Sequence, residues 1–171
     1  MSGWLTDLLR EGEHSSRLAT DLPYFAEHCL KLRPKSGSLA PFIFNHAQLE
    51  LHRRIEEQKV QTGKVRAIIL KARQLGISTY VSARFFHRCI FEPGLRTFIL
   101  GHEKRASTNL FEMVKRFYEH LPKGVRPATG TFNAEREVAG MMTREIRLEL
   151  KRGPYSRVTG FSGPIPYPKG F

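Results

Sequence analysis

Apolar positions along the chain fall into blocks with two different periods. Trp4, Leu5, Leu8 and Leu9 share one side of a helical wheel, which predicts a short amphipathic helix over residues 2–10. Pro23, two residues after Asp21, suits the first turn of a second helix that must end before Pro34. The stretch RPKSGSLAPF (33–42) reads as a loop or a short hairpin. Asn45 followed by Gln48 is a helix start signal, and Ala47, Leu51 and Ile55 run along one face of a helix reaching about Val60. Residues 65–70, VRAIIL, break this pattern. They form a near-continuous apolar run with β-branched members, the mark of a strand covered on both faces. A helix over 78–91 follows, stopped by Glu-Pro-Gly, and RTFILG (96–101) predicts a second strand. Residues 104–120 predict a strong amphipathic helix, with Ala106, Leu110, Val114, Phe117 and Leu121 at helical spacing. Strand, helix, strand, helix at these lengths predicts an α/β fold built on a parallel sheet with flanking helices.

Beyond Pro122 the periodicity fades. Residues 123–142, KGVRPATGTFNAEREVAGMM, read as loop, and EIRLEL (145–150) alternates like a half-exposed strand. The last 21 residues hold four Gly and four Pro. That is above the ~25–30% level of Gly plus Pro at which irregular structure is the default reading. The chain therefore divides into a helical lead-in (1–44), a partial α/β domain (45–150) and an irregular tail (151–171).

Charge adds a functional constraint. Lys and Arg number 28 against 16 Asp and Glu, a net charge of +12 with a pI near 10.2. Such a surplus attracts polyanions, of which nucleic acid is the commonest; the plainer alternative is a basic surface with no such partner. Cys29 and Cys89, the two cysteines, show no pairing pattern, as suits a reducing cytosol. No targeting signal is visible at the N-terminus, and the longest apolar runs fall far short of the ~20 residues a membrane helix needs. The expectation is a soluble cytoplasmic protein with no membrane partner.

Candidate chemistry lies between the predicted strand and helix, in KARQLGIST (71–79). A phosphate-binding loop, G-x-x-x-x-G-K-[ST], turns backbone amides and a helix N-terminus toward phosphates, adds a lysine for the terminal ones and offers a hydroxyl to Mg²⁺. With Gly76 as the second glycine, Lys71 takes the place of the first, Ile77 that of the lysine and Ser78 that of the hydroxyl. Lys71 and Arg73 at the front of the loop can fold back over the same phosphates. The plain alternative is an ordinary strand-to-helix turn with a glycine and a Ser-Thr cap.

KARQLGIST preceded by VRAIIL closely resembles the deviant Walker A loop of phage terminase large subunits, the ATPases that pump DNA into procapsids. Residues 24–55, YFAEHCLKLRPKSGSLAPFIFNHAQLELHRRI, resemble the stretch leading into that ATPase domain. FILGHEKRASTNLFEMVKRFYEHLP (98–122) resembles its second strand and helix. The resemblance spans about residues 21–122. It implies an incomplete P-loop fold, with ATP and Mg²⁺ as cofactors. Lys71 or Arg73 would grip the β/γ phosphates, Gly76 would let the backbone approach, and Gln74 would be among the nucleotide-binding residues. Ser78 would ligand Mg²⁺, and Thr79 would support the helix start. Gln48 would read adenine, although its position also makes it the capping partner of Asn45. Double-stranded DNA is the implied partner. The intact family also meets a small terminase subunit and the portal protein, in the bacterial cytoplasm.

Other clusters point nowhere as firmly. His87 with Cys89, and His102 with Glu103, lack metal-ligand spacing and read as core or surface residues. The acids are more telling. Asp occurs only at positions 7 and 21. The Walker B aspartate that orients Mg²⁺ in a P-loop motor is thus not in this sequence, and neither is a nuclease aspartate cluster. Glu103 is the one acid closing an apolar strand. A gene fragment, or a frameshift after about residue 125, would account for both the missing acids and the Gly/Pro-rich tail. The chain is expected to be inactive alone; the rival reading is a non-catalytic, basic α/β nucleic-acid-binding module.

Overall fold

The computed structural model describes residues 3–34, 37–92, 94–101, 104–138, 141–149 and 156–162. Its contacts group the chain into two compact units, Met1–Val81 and Ser82–Phe171.

The first unit is helical. Helix α1 (Gly3–Thr20) runs about ten residues further than its N-terminal apolar pattern predicts; Trp4, Leu5, Leu8 and Leu9 lie outside the described side chains. Its second half is mostly exposed but buries Leu18, and that burial extends the helix through a polar stretch. Helix α2 (Leu22–Cys29) begins where Asp21 and Pro23 predict: the Asp21 side chain accepts from the Tyr24 amide at 3.0 Å, and Pro23 sits in the first turn. Phe25, Ala26, Cys29 and Leu30 are buried. The next segment is indeed a short hairpin, β1 (Lys31–Leu32) paired antiparallel with β2 (Ala40–Pro41). Helix α3 (His46–Thr62) carries a complete Asn45–Gln48 capping box and ends on Gly63, whose φ of +70° is the left-handed conformation that glycine accepts without strain.

Residues 65–70 correct the sequence reading. They form no strand; every one of them is exposed, with Ile68 at 103% and Leu70 at 101%. The physical reason is missing partners. A strand covered on both faces needs a ladder on its edges and layers above and below, and among the described residues nothing pairs with this backbone as a strand. It is tethered by the Gln58 amide, which accepts from the Arg66 N–H at 2.9 Å and donates to the Arg66 carbonyl at 3.2 Å.

Helix α4 (Ile77–Phe91) and strand β3 (Arg96–Gly101) match their predicted ranges, and α5 (Lys104–Glu119) matches to within a residue. On α5, Val114 and Phe117 are buried, with Leu121 just beyond, as its apolar periodicity predicts; Ala106 and Leu110 of the same stripe are only half-buried, and Phe111, outside it, is buried instead. In the second unit, Phe86 and Phe117 pack with ring centroids 5.9 Å apart. Three further strands follow: β4 (Ala128–Val138), β5 (Met141–Glu149) and β6 (Ser156–Ser162). The four-stranded sheet has the order β3-β6-β5-β4. β6 pairs parallel with β3 and antiparallel with β5, and β4 pairs antiparallel with β5.

Two further expectations are thereby corrected. Residues 123–142 are not all loop, because β4 occupies most of them. The tail is not irregular at 156–162, where β6 is paired on both edges; residues 151–155 and 163–171 lie outside the described residues. Gly and Pro content marked this region as irregular, but the ladder bonds of two neighbours outweigh a modest local propensity. The architecture is mixed helix and sheet, of α/β character. A P-loop-type parallel sheet is not present among the described residues.

Candidate phosphate-loop site

The loop before α4 is held from behind by the N-terminus of α3. Asn45 and Gln48 use part of their hydrogen-bonding capacity on the capping box. The Asn45 carbonyl oxygen of the side chain accepts from the Gln48 amide at 3.0 Å, and Gln48 Oε1 accepts from the Asn45 amide at 2.9 Å. Each then has an NH₂ group left, and both point at the loop. Gln48 Nε2 donates to the Gly76 carbonyl at 2.8 Å, and Asn45 Nδ2 donates to the Leu75 carbonyl at 3.3 Å. The Gly76 carbonyl also accepts the first intrahelical bond of α4, from the Tyr80 amide at 3.0 Å. One carbonyl thus joins two helix N-termini.

Gly76 is required here. Its φ is +69°, and a Cβ on it would lie 2.6 Å from Gln48 Nε2. The loop turns through a second left-handed residue, Gln74 at φ +65°. For a residue with a Cβ this costs on the order of 1–2 kcal/mol, and such strain collects at functional turns.

The predicted site residues divide into two groups. Gln48 is 3% exposed and sits behind the loop with Gly76. Lys71, Arg73 and Gln74 are exposed, Ser78 is exposed in the first turn of α4, and Thr79 beside it is half-buried. Lys71 Nζ makes only a long 3.5 Å approach to the neighbouring Ala72 carbonyl. Among the described residues neither Lys71 nor Arg73 has an ion pair. The acids of α3 are already engaged: Glu50 binds Arg53 and Arg54 at 2.8 and 2.7 Å, and Glu57 binds Arg53 at 2.5 Å. Hydrogen bonds from Arg53, then Arg54, pull the Glu50 carboxyl down to about 2. Between Glu57 and Glu92 the sequence contains no acid at all, while Lys59, Lys64, Arg66, Lys71, Arg73, Arg84 and Arg88 lie within that span. The local field is therefore positive.

Aromatic packing anchors the start of α4 in the same unit. Tyr80 is fully buried, its ring edge-on to Phe44 at 5.3 Å and its hydroxyl 3.1 Å from His52 Nδ1. The sequence pattern did not single out Asn45, Phe44, His52 or Tyr80 as supports of the loop. Asn45 alone carried a signal, as a helix cap. Also in this unit, Leu51, Ile55, Gln58 and residues 66–70 line an open groove of about 300 Å³.

The weaker candidates have structural surroundings. His87 is buried with its ring 4.9 Å from Phe91, and Cys89 Sγ lies 3.5 Å from Thr97 Oγ1. Burial pushes the Cys29 and Cys89 thiols up to about 11. His102 and Glu103 lie outside the described residues.

Chemically, the arrangement suits an anion. The first-turn amides of α4 lack intrahelical acceptors and lie at the positive end of its dipole. Lys71 and Arg73, without an ion pair among the described residues, precede them, and the Ser78 hydroxyl is exposed. For a metal ion the loop offers the Ser78 hydroxyl. Neither a scan against models of known protein families nor a search of curated proteins returned a match to this chain.

Proposed function

We propose that this chain is the N-terminal ATPase portion of a phage terminase large subunit, binding ATP through the loop at residues 71–79. The observation that carries the reading is the loop itself. It is pinned at Gly76, strained at Gln74 and open in front of an α-helix whose second residue is Ser78, with Lys71 and Arg73 uncompensated beside it. A turn that only joined two elements would need neither the strain nor the surplus cations. The exposed apolar run at 65–70 is a second support, since it has the composition of a core strand and pairs with no strand among the described residues. In this reading Lys71 and Arg73 neutralise the β/γ phosphates, Gly76 allows their close approach, and Thr79 steadies the helix start. Mg²⁺, when bound, would screen the phosphate charge, with Ser78 as a ligand. The partners are double-stranded DNA and, in the intact assembly, the small subunit and portal, within the bacterial cytoplasm. Among the described residues no helix is long and apolar enough to cross a membrane.

Titration with a fluorescent ATP analogue tests the reading. Weak binding by the wild type, weakened further by Lys71→Ala and by Arg73→Ala, is the expected result; equal affinity in all three would remove the phosphate-loop reading. Steady ATP turnover is not expected from this chain, because no aspartate follows residue 21 to hold the metal.

The +12 charge favours a second reading, a basic nucleic-acid-binding module whose loop is only a turn. Both readings predict DNA binding whose log affinity falls linearly with log salt. They part at Lys71, where only the ATPase reading predicts a loss of nucleotide affinity larger than the loss of DNA affinity.

A further inference from the structure

We infer that Gln48 is a positioning residue for the phosphate loop and does not select the base, so that the loop takes the triphosphate moiety of any nucleoside triphosphate. This inference rests on the phosphate-loop reading above. Three observations carry it. Gln48 is almost wholly buried, and each end of its amide already bonds the protein: Oε1 accepts from the Asn45 amide and Nε2 donates to the Gly76 carbonyl. A residue that reads a base must present donor and acceptor together to the ligand, and this one presents them to the protein. Gly76 has no room for a Cβ because Gln48 Nε2 would be 2.6 Å away, so the two positions, 28 residues apart, are fitted to each other. Finally, Asn45 repeats the contact one residue earlier, on the Leu75 carbonyl. Two amides tied to two successive carbonyls hold those carbonyls back and leave the first-turn amides of α4 facing outward. An anion needs that orientation, whatever base it carries.

The probe that separates these roles is inorganic tripolyphosphate with Mg²⁺, which has no base. Affinities for tripolyphosphate, ATP and GTP are measured by calorimetry in the wild type and in two variants. Gln48→Glu keeps the acceptor that completes the helix cap but cannot donate to Gly76. Gln48→Met removes the donor without adding charge, so agreement between the two excludes simple repulsion. Losing one hydrogen bond that shapes the site predicts a roughly tenfold rise in Kd, by the same factor for all three ligands. Gly76→Ala should weaken binding as well, and Gly76→Ala with Gln48→Met should be no worse than the poorer single variant, because both break one contact. Circular dichroism confirms that each variant is folded. A loss confined to ATP would overturn the inference in favour of base reading. Unchanged affinities in both Gln48 variants would overturn it while leaving the phosphate loop standing. Wild-type binding of tripolyphosphate that is absent, or indifferent to Lys71→Ala, would remove the phosphate-loop reading itself and this role with it.

Discussion

Residues 65–70 and residues 156–162 exchange the structures their compositions suggest. VRAIIL is mostly apolar, β-branched and free of Gly and Pro, yet it is exposed throughout and pairs with no strand among the described residues. SRVTGFS comes from a Gly/Pro-rich tail, contains a glycine, and is an interior strand of the sheet, bonded to β3 on one edge and β5 on the other. RTFILG, in β3, resembles VRAIIL in composition and is a strand because β6 lies beside it. Apolar content thus states what a segment can tolerate, and the ladder states what it becomes. A β-strand has no internal hydrogen bonds, so a segment without a neighbour gains nothing from that conformation.

The contrast can be attacked directly. The largest effect is expected from Thr159→Pro, in β6 opposite Phe98 and Glu145. Proline removes a ladder donor from a strand paired on both edges and should cost about 3 kcal/mol or more in urea unfolding. A cost below 1 kcal/mol would mean that β6 is not interior. Asn45→Ala should cost about 1 kcal/mol, the usual loss for a helix cap. It should also speed tryptic cleavage after Arg73, because the loop loses its Leu75 tether; unchanged cleavage would show the tether to be idle. Ile68→Ser and Leu70→Ser should change stability by no more than about 0.5 kcal/mol, since neither side chain loses burial. Both should reduce self-association in light scattering, because an exposed apolar run is adhesive. A destabilisation as large as that of a core truncation would show that the segment is covered after all.

The effect that vanishes at neutral pH and shows only in alkali concerns the two thiols, one in each compact unit. Burial raises both pKa values from 9.0 to about 11, so the unfolded chain ionises first. Stability should be unaffected below pH 9 and decline from about pH 9 to 11, as the unfolded state loses protons that the native state keeps. Cys89→Ala should flatten the part of that decline belonging to the second unit, and Cys29→Ala the part belonging to the first. Rapid labelling of Cys89 at neutral pH, at the rate of a free thiol, would contradict its packing against Thr97.

What could be read from the sequence was whatever a few neighbouring residues decide. Asp21 with Pro23 starts α2, Asn45 with Gln48 starts α3, and the apolar spacing of Val114, Phe117 and Leu121 names part of the buried face of α5, though not Phe111. Each depends on interactions within about four residues, where a side chain and its backbone partner are adjacent whatever the rest of the chain does. The candidate loop was legible for the same reason, as a short run of cations, glycine and hydroxyl. Its support was not. That Gln48 reaches Gly76 and Asn45 reaches Leu75 depends on α3 and α4 meeting across 28 and 30 residues of chain, and no local pattern encodes such a meeting. The strands obey the same division. β3 could be recognised from its own residues, whereas β6 exists because β3 and β5 come to lie on either side of it, and 65–70 forms no strand because none of the described residues pairs with it. Helix caps are closed locally; ladders and clasps are closed by residues far apart, and only the tertiary structure decides which of those residues meet.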